Sequence, residues 1–187
     1  HEFRTPLTLI LAPAKALHKE TKDPELKEEL DLIIKNADRL LALINQLLDL
    51  SKIEHQRMAL KLEKDDINEF IRNLTGTFSS YAAEKKLELD YSGKEKLISV
   101  FDKEKLEKVL INLISNALKN TASKGKVFVE LEEDTEKVYI KVSDTGVGID
   151  EKELPKIFDR FYMPDTGKTH KTEGTGIGLA LVKELIH

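Results

Sequence analysis

Asp23-Pro24-Glu25-Leu26-Lys27-Glu28-Glu29-Leu30-Asp31-Leu32-Ile33-Ile34-Lys35-Asn36-Ala37-Asp38-Arg39-Leu40-Leu41-Ala42-Leu43-Ile44-Asn45-Gln46-Leu47 carries both a helix start signal and a heptad. Leu26, Leu30, Ile33, Ala37, Leu40, Ile44 and Leu47 alternate at spacings of four and three, the a/d pattern of packed helices. Asp23 suits the N-cap, Pro24 the first helical position, and Glu25 the positive helix end. Upstream, Phe3, Leu7, Ile10, Ala14 and Leu17 repeat the same pattern. Thr21–Glu25 is then the turn of an antiparallel helical hairpin. Ile34, Leu41, Leu43, Leu48 and Leu50 widen the second helix's apolar stripe beyond what one partner helix covers. Two hairpins paired into a four-helix bundle bury it, which predicts a homodimer.

The 187 residues have room for one domain or two small ones. Apolar content of 40% is sufficient for ordinary cores, and 34% charged residues with a net charge of −4 give a mildly acidic surface. That balance argues against nucleic acid as a partner, which favours a basic face. The absence of cysteine excludes disulfides and thiolate metal sites. No apolar run reaches the ~18–20 residues that span a bilayer, and no signal peptide is visible. The chain starts without Met, inside a helical pattern, and stops at Leu185-Ile186-His187 inside another. The fold is therefore expected to be truncated at both ends, and a membrane anchor in missing upstream segments remains compatible with it.

Residues 1–55 form the hairpin in this reading, residues 51–58 a polar linker, and residues 56–187 a second domain. In that domain the period changes. Met58–Leu62 alternates like a strand, and Asp66 caps a helix carrying Ile67, Phe70, Ile71, Leu74, Phe78 and Tyr81. Leu87–Tyr91, Val127–Leu131 and Val138–Val142 read as strands, the last two joined by a charged turn through Asp134. Lys103–Leu118 is helical, with Leu106, Val109, Leu110, Leu113 and Ile114 inward. Short helices are expected near 151–158 and from 176 onward. The mixture predicts an α-plus-α/β chain: the hairpin, then an α/β sandwich with helices on one face of a mixed sheet.

Four groups carry chemistry. His1, Glu2 and Thr5 fall on outward heptad positions and share one helix face. A neutral imidazole has one nitrogen able to attack an electrophile, and a neighbouring carboxylate accepts the proton its other nitrogen sheds. Pro6 withholds the helical hydrogen bond to the Glu2 carbonyl, and Pro13 the one to Leu9, so each tends to kink the helix. On the string alone, a surface histidine without a role is an equal reading. Asn112, Asn116, Lys119 and Asn120 form a polar stripe opposite an apolar helix face. Two amide oxygens and an ammonium suit Mg²⁺ with attached phosphates, although a solvated face is the simpler account. Asp144-Thr145-Gly146-Val147-Gly148-Ile149 follows a strand. Its glycines permit a sharp turn and close approach, and a semi-buried Asp144 is a natural acceptor for an exocyclic amine such as adenine N6. A plain glycine turn is the alternative. Gly174-Thr175-Gly176-Ile177-Gly178-Leu179 opens a helix, where backbone N–H groups bind phosphate. Before it, Lys168, His170 and Lys171 make a polar segment that reads as a lid with cations for phosphate.

In this order the motifs resemble those of the sensor histidine kinases of bacterial two-component signalling, with a HisKA-type hairpin and a GHKL-type ATP-binding domain of Bergerat fold. His1–Leu7 is similar to the H box and Asn112–Asn120 to the N box. Asp144–Ile149 is similar to the G1 box, Phe158–Phe161 to the F box and Gly174–Leu179 to the G2 box. The hairpin and final helix resemble those of hybrid sensors of gut Bacteroidetes. The resemblance implies ATP and Mg²⁺ as cofactors, autophosphorylation of a histidine, and transfer to an aspartate of a response-regulator receiver domain. It implies a cytoplasmic portion of a membrane-anchored sensor. It implies His1 as phosphoacceptor, Glu2 as the assisting base, and Thr5 as orienting water in a phosphatase reaction on the receiver. Asn112 and Asn116 organise Mg²⁺, and Lys119 touches phosphate. Asp144 reads adenine in a pocket shaped by Gly146, Gly148 and Ile149. Arg160 reaches the γ-phosphate, with Lys168 and Lys171 as lid cations. Gly174, Thr175, Gly176, Gly178 and Leu179 line the phosphates. Two positions depart from the pattern: Asn120 stands where many relatives have an aromatic ring beside adenine, and Met163 where many have arginine. ATPases of the same fold place a glutamate where Asn112 stands, to activate water, and an amide is no such base. A nucleotide-binding dimerisation scaffold is the other alternative.

Overall fold

The computed structural model describes residues 4–54, 59–164 and 174–186. The chain divides into two compact units, His1–Arg57 and Met58–His187.

The first unit is a helical hairpin of α1 (Arg4–Glu20) and α2 (Pro24–Glu54). Asp23 starts α2 as its capping position demands: its Oδ1 accepts from the backbone N–H of Glu25 at 3.0 Å. The helix continues to Glu54, through the first part of the expected polar linker. The hairpin core differs from a strict a/d seam. Leu7, Leu11 and Ala37 are buried, with Ile34, Leu41 and Ile44 packed against them. Leu11, Ile34 and Leu41 thus take part, while Ile10, Leu17, Ile33, Leu40 and Leu47 are exposed. The exposed five recur at heptad spacing, one stripe on each helix. A helix of a bundle faces more than one neighbour, so a wide apolar stripe divides between them. Pro13 lies within α1.

The second unit begins with β1 (Glu63–Asp66) and β3 (Ile98–Phe101), which pair antiparallel. The strand expected at Met58–Leu62 lies later, in an almost wholly charged stretch. Pairing with β3, rather than its own side chains, makes it a strand. Asp66 caps α3 (Ile67–Gly76), accepting from the N–H groups of Asn68 at 3.0 Å and Glu69 at 3.2 Å. A break at Thr77–Phe78 separates α3 from α4 (Ser79–Glu84), so the single helix expected there is two. The second sheet has the order β2 (Glu88–Ser92), β4 (Lys126–Glu133), β5 (Val138–Asp144). β2 and β4 are parallel and β4 and β5 antiparallel, so the sheet is mixed. The parallel pair requires a crossover, which α5 (Lys103–Asn120) supplies.

On β4, Val127, Val129 and Leu131 alternate inward, as a strand with one core face requires. They meet Leu110, Ile114 and Leu118 of α5 and Ile67, Ile71 and Leu74 of α3 in one apolar core. The last helix, α6 (Gly178–Ile186), buries Ala180, Leu181 and Val182. The short helix expected near 151–158 is instead a run of turns. The N–H groups of Glu153, Lys156, Asp159 and Tyr162 each reach a carbonyl three residues back. Pro155, inside that run, has no N–H to offer a helix.

Candidate active site

α5 carries the polar stripe on the side away from its buried leucines. Asn112 Nδ2 donates to the Lys108 carbonyl at 2.7 Å, and Asn120 Nδ2 to the Asn116 carbonyl at 2.8 Å. With its amide nitrogen turned back onto its own helix, Asn112 presents Oδ1 outward. A Cβ added to Gly178 would lie 2.7 Å from that oxygen. The start of α6 therefore rests directly against the asparagine, and a side chain at Gly178 would push the Asn112 amide aside. Asn116 is half-buried beside it, while Lys119 and Asn120 are exposed.

Asp144 ends β5, and its Oδ1 accepts from the Gly146 N–H at 2.8 Å. The loop is fastened to the end of α5: a Cβ on Gly146 would lie 2.5 Å from the Asn120 carbonyl oxygen. The Val147 N–H donates to that same carbonyl at 3.4 Å. Gly148 has φ +70, a left-handed conformation that favours glycine. Asp144 is exposed rather than semi-buried, and Val147 and Ile149 also face outward.

The Gly174–Leu179 turn is held by the Phe158–Phe161 segment. Gly176 has φ +66, and a Cβ there would lie 2.6 Å from the Phe161 carbonyl carbon. The Phe161 N–H donates to the Gly176 carbonyl at 2.8 Å. Phe161 itself takes a left-handed φ of 64, which a non-glycine residue adopts only where its surroundings compel it. Thr175 Oγ1 accepts from the Ile177 N–H at 3.3 Å. Leu179 is half-buried in the first turn of α6. The first N–H groups of a helix lack intrahelical acceptors and point along its axis, as phosphate binding needs.

Comparison with known proteins bears on both units. The His Kinase A (phospho-acceptor) domain model matches residues 1–56. The model of the histidine kinase-, DNA gyrase B- and HSP90-like ATPases matches residues 101–187. The chain belongs to the sensor histidine kinases. A relative, histidine kinase P4 of Formosa agariphila, is 36% identical over 99% of this chain and 14% of its own length. The chain thus spans a small part of that curated relative. Among solved structures, full-length ShkA in complex with AMPPNP has a TM-score of 0.80 at 29% identity, covering 99% of this chain and 38% of that one. Histidine kinase ThkA in complex with response regulator protein TrrA has a TM-score of 0.63 at 28% identity, covering 87% of this chain and 48% of that one.

The sequence motifs thus meet in pairs: Asn112 with Gly178, Asn120 with the Asp144–Gly146 turn, and Phe161 with Gly176. On the hairpin, Thr5 is exposed and Leu7 is buried, which puts Thr5 outside the core. His1, Glu2, Lys168, His170 and Lys171 lie outside the described residues. Among the described residues no cluster of three or more histidine, cysteine or carboxylate side chains fits a metal ion. Arg160 Nη2 lies 3.7 Å from Glu184 Oε1 on α6. In the sequence, Glu184 is marked only by its helical spacing from Ile177, Ala180 and Leu181. The left-handed Phe161 has no comparable signal, because phenylalanine rarely takes that conformation.

Proposed function

We propose that this chain is the ATP-dependent autokinase core of a two-component sensor, phosphorylating His1 and passing the phosphoryl group to an aspartate of a receiver domain. The contact between Asn112 and Gly178 carries the reading. It brings the N-box amide to the helix end that suits phosphate, and an amide there lacks the carboxylate base that ATP hydrolysis uses. The solved relative in complex with AMPPNP supports ATP as the nucleotide. ThkA, in complex with a response regulator, supports a receiver partner, separate or in the same polypeptide.

The amide oxygens of Asn112 and Asn116 are the donors that would hold Mg²⁺, which favours hard oxygen ligands. Bound there, Mg²⁺ would neutralise charge on the phosphates. The N–H groups of the Gly174–Leu179 turn bind phosphate oxygens, with Thr175 and Lys119 beside them. Asp144 hydrogen-bonds the adenine amine, in a pocket formed with Gly146, Gly148 and Ile149. Asn120 flanks that pocket where an aromatic ring is common. Arg160, with Lys168 and Lys171, binds the γ-phosphate. An imidazole nitrogen of His1 attacks the γ-phosphorus. The new N–P bond forms as the bond to the bridging oxygen breaks and ADP leaves. Glu2 takes the proton from the other ring nitrogen. In transfer, the N–P bond breaks and a receiver carboxylate oxygen bonds to phosphorus. Thr5 orients water when the phosphoaspartate is hydrolysed.

The exposed stripe of Ile10, Leu17, Ile33, Leu40 and Leu47 supports a homodimer through a four-helix bundle. Among the described residues no helix is long and apolar enough to cross a membrane. The chain is read as the cytoplasmic part of a sensor anchored through other segments.

The full-length protein given Mg-ATP labelled at the γ-position should gain phosphate that is labile in acid and stable in base. His1→Gln should abolish it. A base-labile or fully acid-stable label, or one that survives the substitution, defeats the proposal.

A further inference from the structure

α6 ends its buried stripe in a charge. Ile177 is fully buried and Ala180 and Leu181 nearly so, and Glu184 follows them at spacings of seven, four and three residues. It therefore lies on the same side of the helix, and it is half-buried there. A carboxylate drawn out of water needs a partner. Arg160 provides one: Nη2 stands 3.7 Å from Oε1, with both side chains 41% exposed.

The backbone of Arg160 is fixed at the opposite end of this helix. Its neighbour Phe161 donates to the Gly176 carbonyl at 2.8 Å and leaves no room for a Cβ on Gly176. The arginine is thus rooted beside the phosphate turn, and its guanidinium lies along α6 toward Glu184. Gly178 and Glu184 are six residues apart, about 9 Å along a helix. The guanidinium contacts a residue nearly two turns into the helix, although the backbone next to the arginine is bonded just before the first turn.

We propose that Glu184 is a positioning residue that competes with the γ-phosphate of ATP for Arg160. The inference rests on the reading that the triphosphate occupies the Gly174–Leu179 turn. Without nucleotide, the guanidinium rests on Glu184. With ATP, it moves to the γ-phosphate, whose oxygens carry more charge and accept its forked N–H groups. ADP lacks that phosphate and leaves the pair in place. Glu184 therefore acts on the preference for ATP over ADP, not on nucleotide binding in general.

Calorimetric titration of the full chain with Mg-ATP and Mg-ADP tests this in Glu184→Gln, Arg160→Gln and the double variant. Glu184→Gln should tighten ATP binding by about two- to fivefold, the range open to an exposed ion pair, and leave ADP binding unchanged. Arg160→Gln should weaken ATP alone, and the double variant should bind like Arg160→Gln. Glu184→Gln that leaves ATP binding unchanged or weaker, shifts ADP equally, or still tightens ATP binding in the Arg160→Gln background overturns the role of Glu184. Arg160→Gln that binds ATP like the parent overturns the assignment of Arg160 to phosphate as well. A parent chain that binds neither nucleotide removes the site itself.

Discussion

The hairpin and the α/β unit treat their apolar residues differently. In the α/β unit, Ile71, Ile114, Leu118, Val127 and Val129 are wholly buried, and they come from two helices and a strand that close over one another. In the hairpin, Leu7, Leu11 and Ala37 are buried, yet Ile10, Leu17, Ile33, Leu40 and Leu47 are all more than 40% exposed. A two-helix unit has one seam, so an apolar residue off that seam meets water. A sheet with helices on one face encloses a volume. The difference separates two tasks. On the proposed function, a second copy completes the first unit, while the second unit builds its site from its own residues.

Leu40→Lys strikes that difference hardest. Burying a leucine is worth about 1.5–3 kcal/mol. In a symmetric dimer each substitution acts twice, so association should weaken by roughly 3–6 kcal/mol, about 10²–10⁴-fold. Sedimentation should find a monomer at concentrations where the parent is a dimer, with nucleotide affinity unchanged. A variant that remains dimeric at the parent's affinity places the interface elsewhere.

Gly176→Ala is the counterpart in the α/β unit. Its methyl group would require a left-handed φ and would stand 2.6 Å from backbone of Phe161. Strain of this kind costs about 1–3 kcal/mol. The turn should shift off Phe161 and ATP affinity should fall about tenfold, while sedimentation stays that of the parent. Tight ATP binding in this variant shows that the Phe161–Gly176 contact is dispensable.

What the residues revealed beforehand also divides between the units. The hairpin was legible because heptads and the Asp23-Pro24 start are local signals. The split of its stripe was not, since it depends on which neighbours a helix meets. The crossover helix and β4 were plain from periodicity. The pair β1 and β3 was not: Glu63-Lys64-Asp65-Asp66 has no apolar alternation, and the four residues of β3 are a strand through pairing with β1. At the site, the glycine motifs were visible. What they press against, Asn112, the Asn120 carbonyl and Phe161, is long-range information.

The smallest effect compares two aspartate caps. Asp23 on α2 is exposed and serves the start of its own helix, at Glu25 and Leu26. Asparagine caps as well as aspartate, so Asp23→Asn should leave stability within about 0.5 kcal/mol. Asp102 on α5 is buried, and both its oxygens are engaged: Oδ1 accepts from the Lys105 N–H at 3.0 Å and Oδ2 from the Lys61 N–H at 2.9 Å. An asparagine supplies one acceptor oxygen, so Asp102→Asn leaves one donor unmatched, at about 1–2 kcal/mol. Burial alone would raise the Asp102 pKa, but the backbone donors at Lys61, Lys105 and Glu104, with the charge of Lys105, together outweigh it and hold the carboxyl below its ordinary 3.8. A depressed pKa stabilises the fold fully above the unfolded-state value and progressively less as pH falls below 3.8. Acid titration followed by circular dichroism should show that decline in the parent and in Asp23→Asn. It should be shallower in Asp102→Asn, which has no proton to gain at that site. An equal acid slope in all three would mean that the buried cap contributes no more to the α/β unit than the exposed one does to the hairpin.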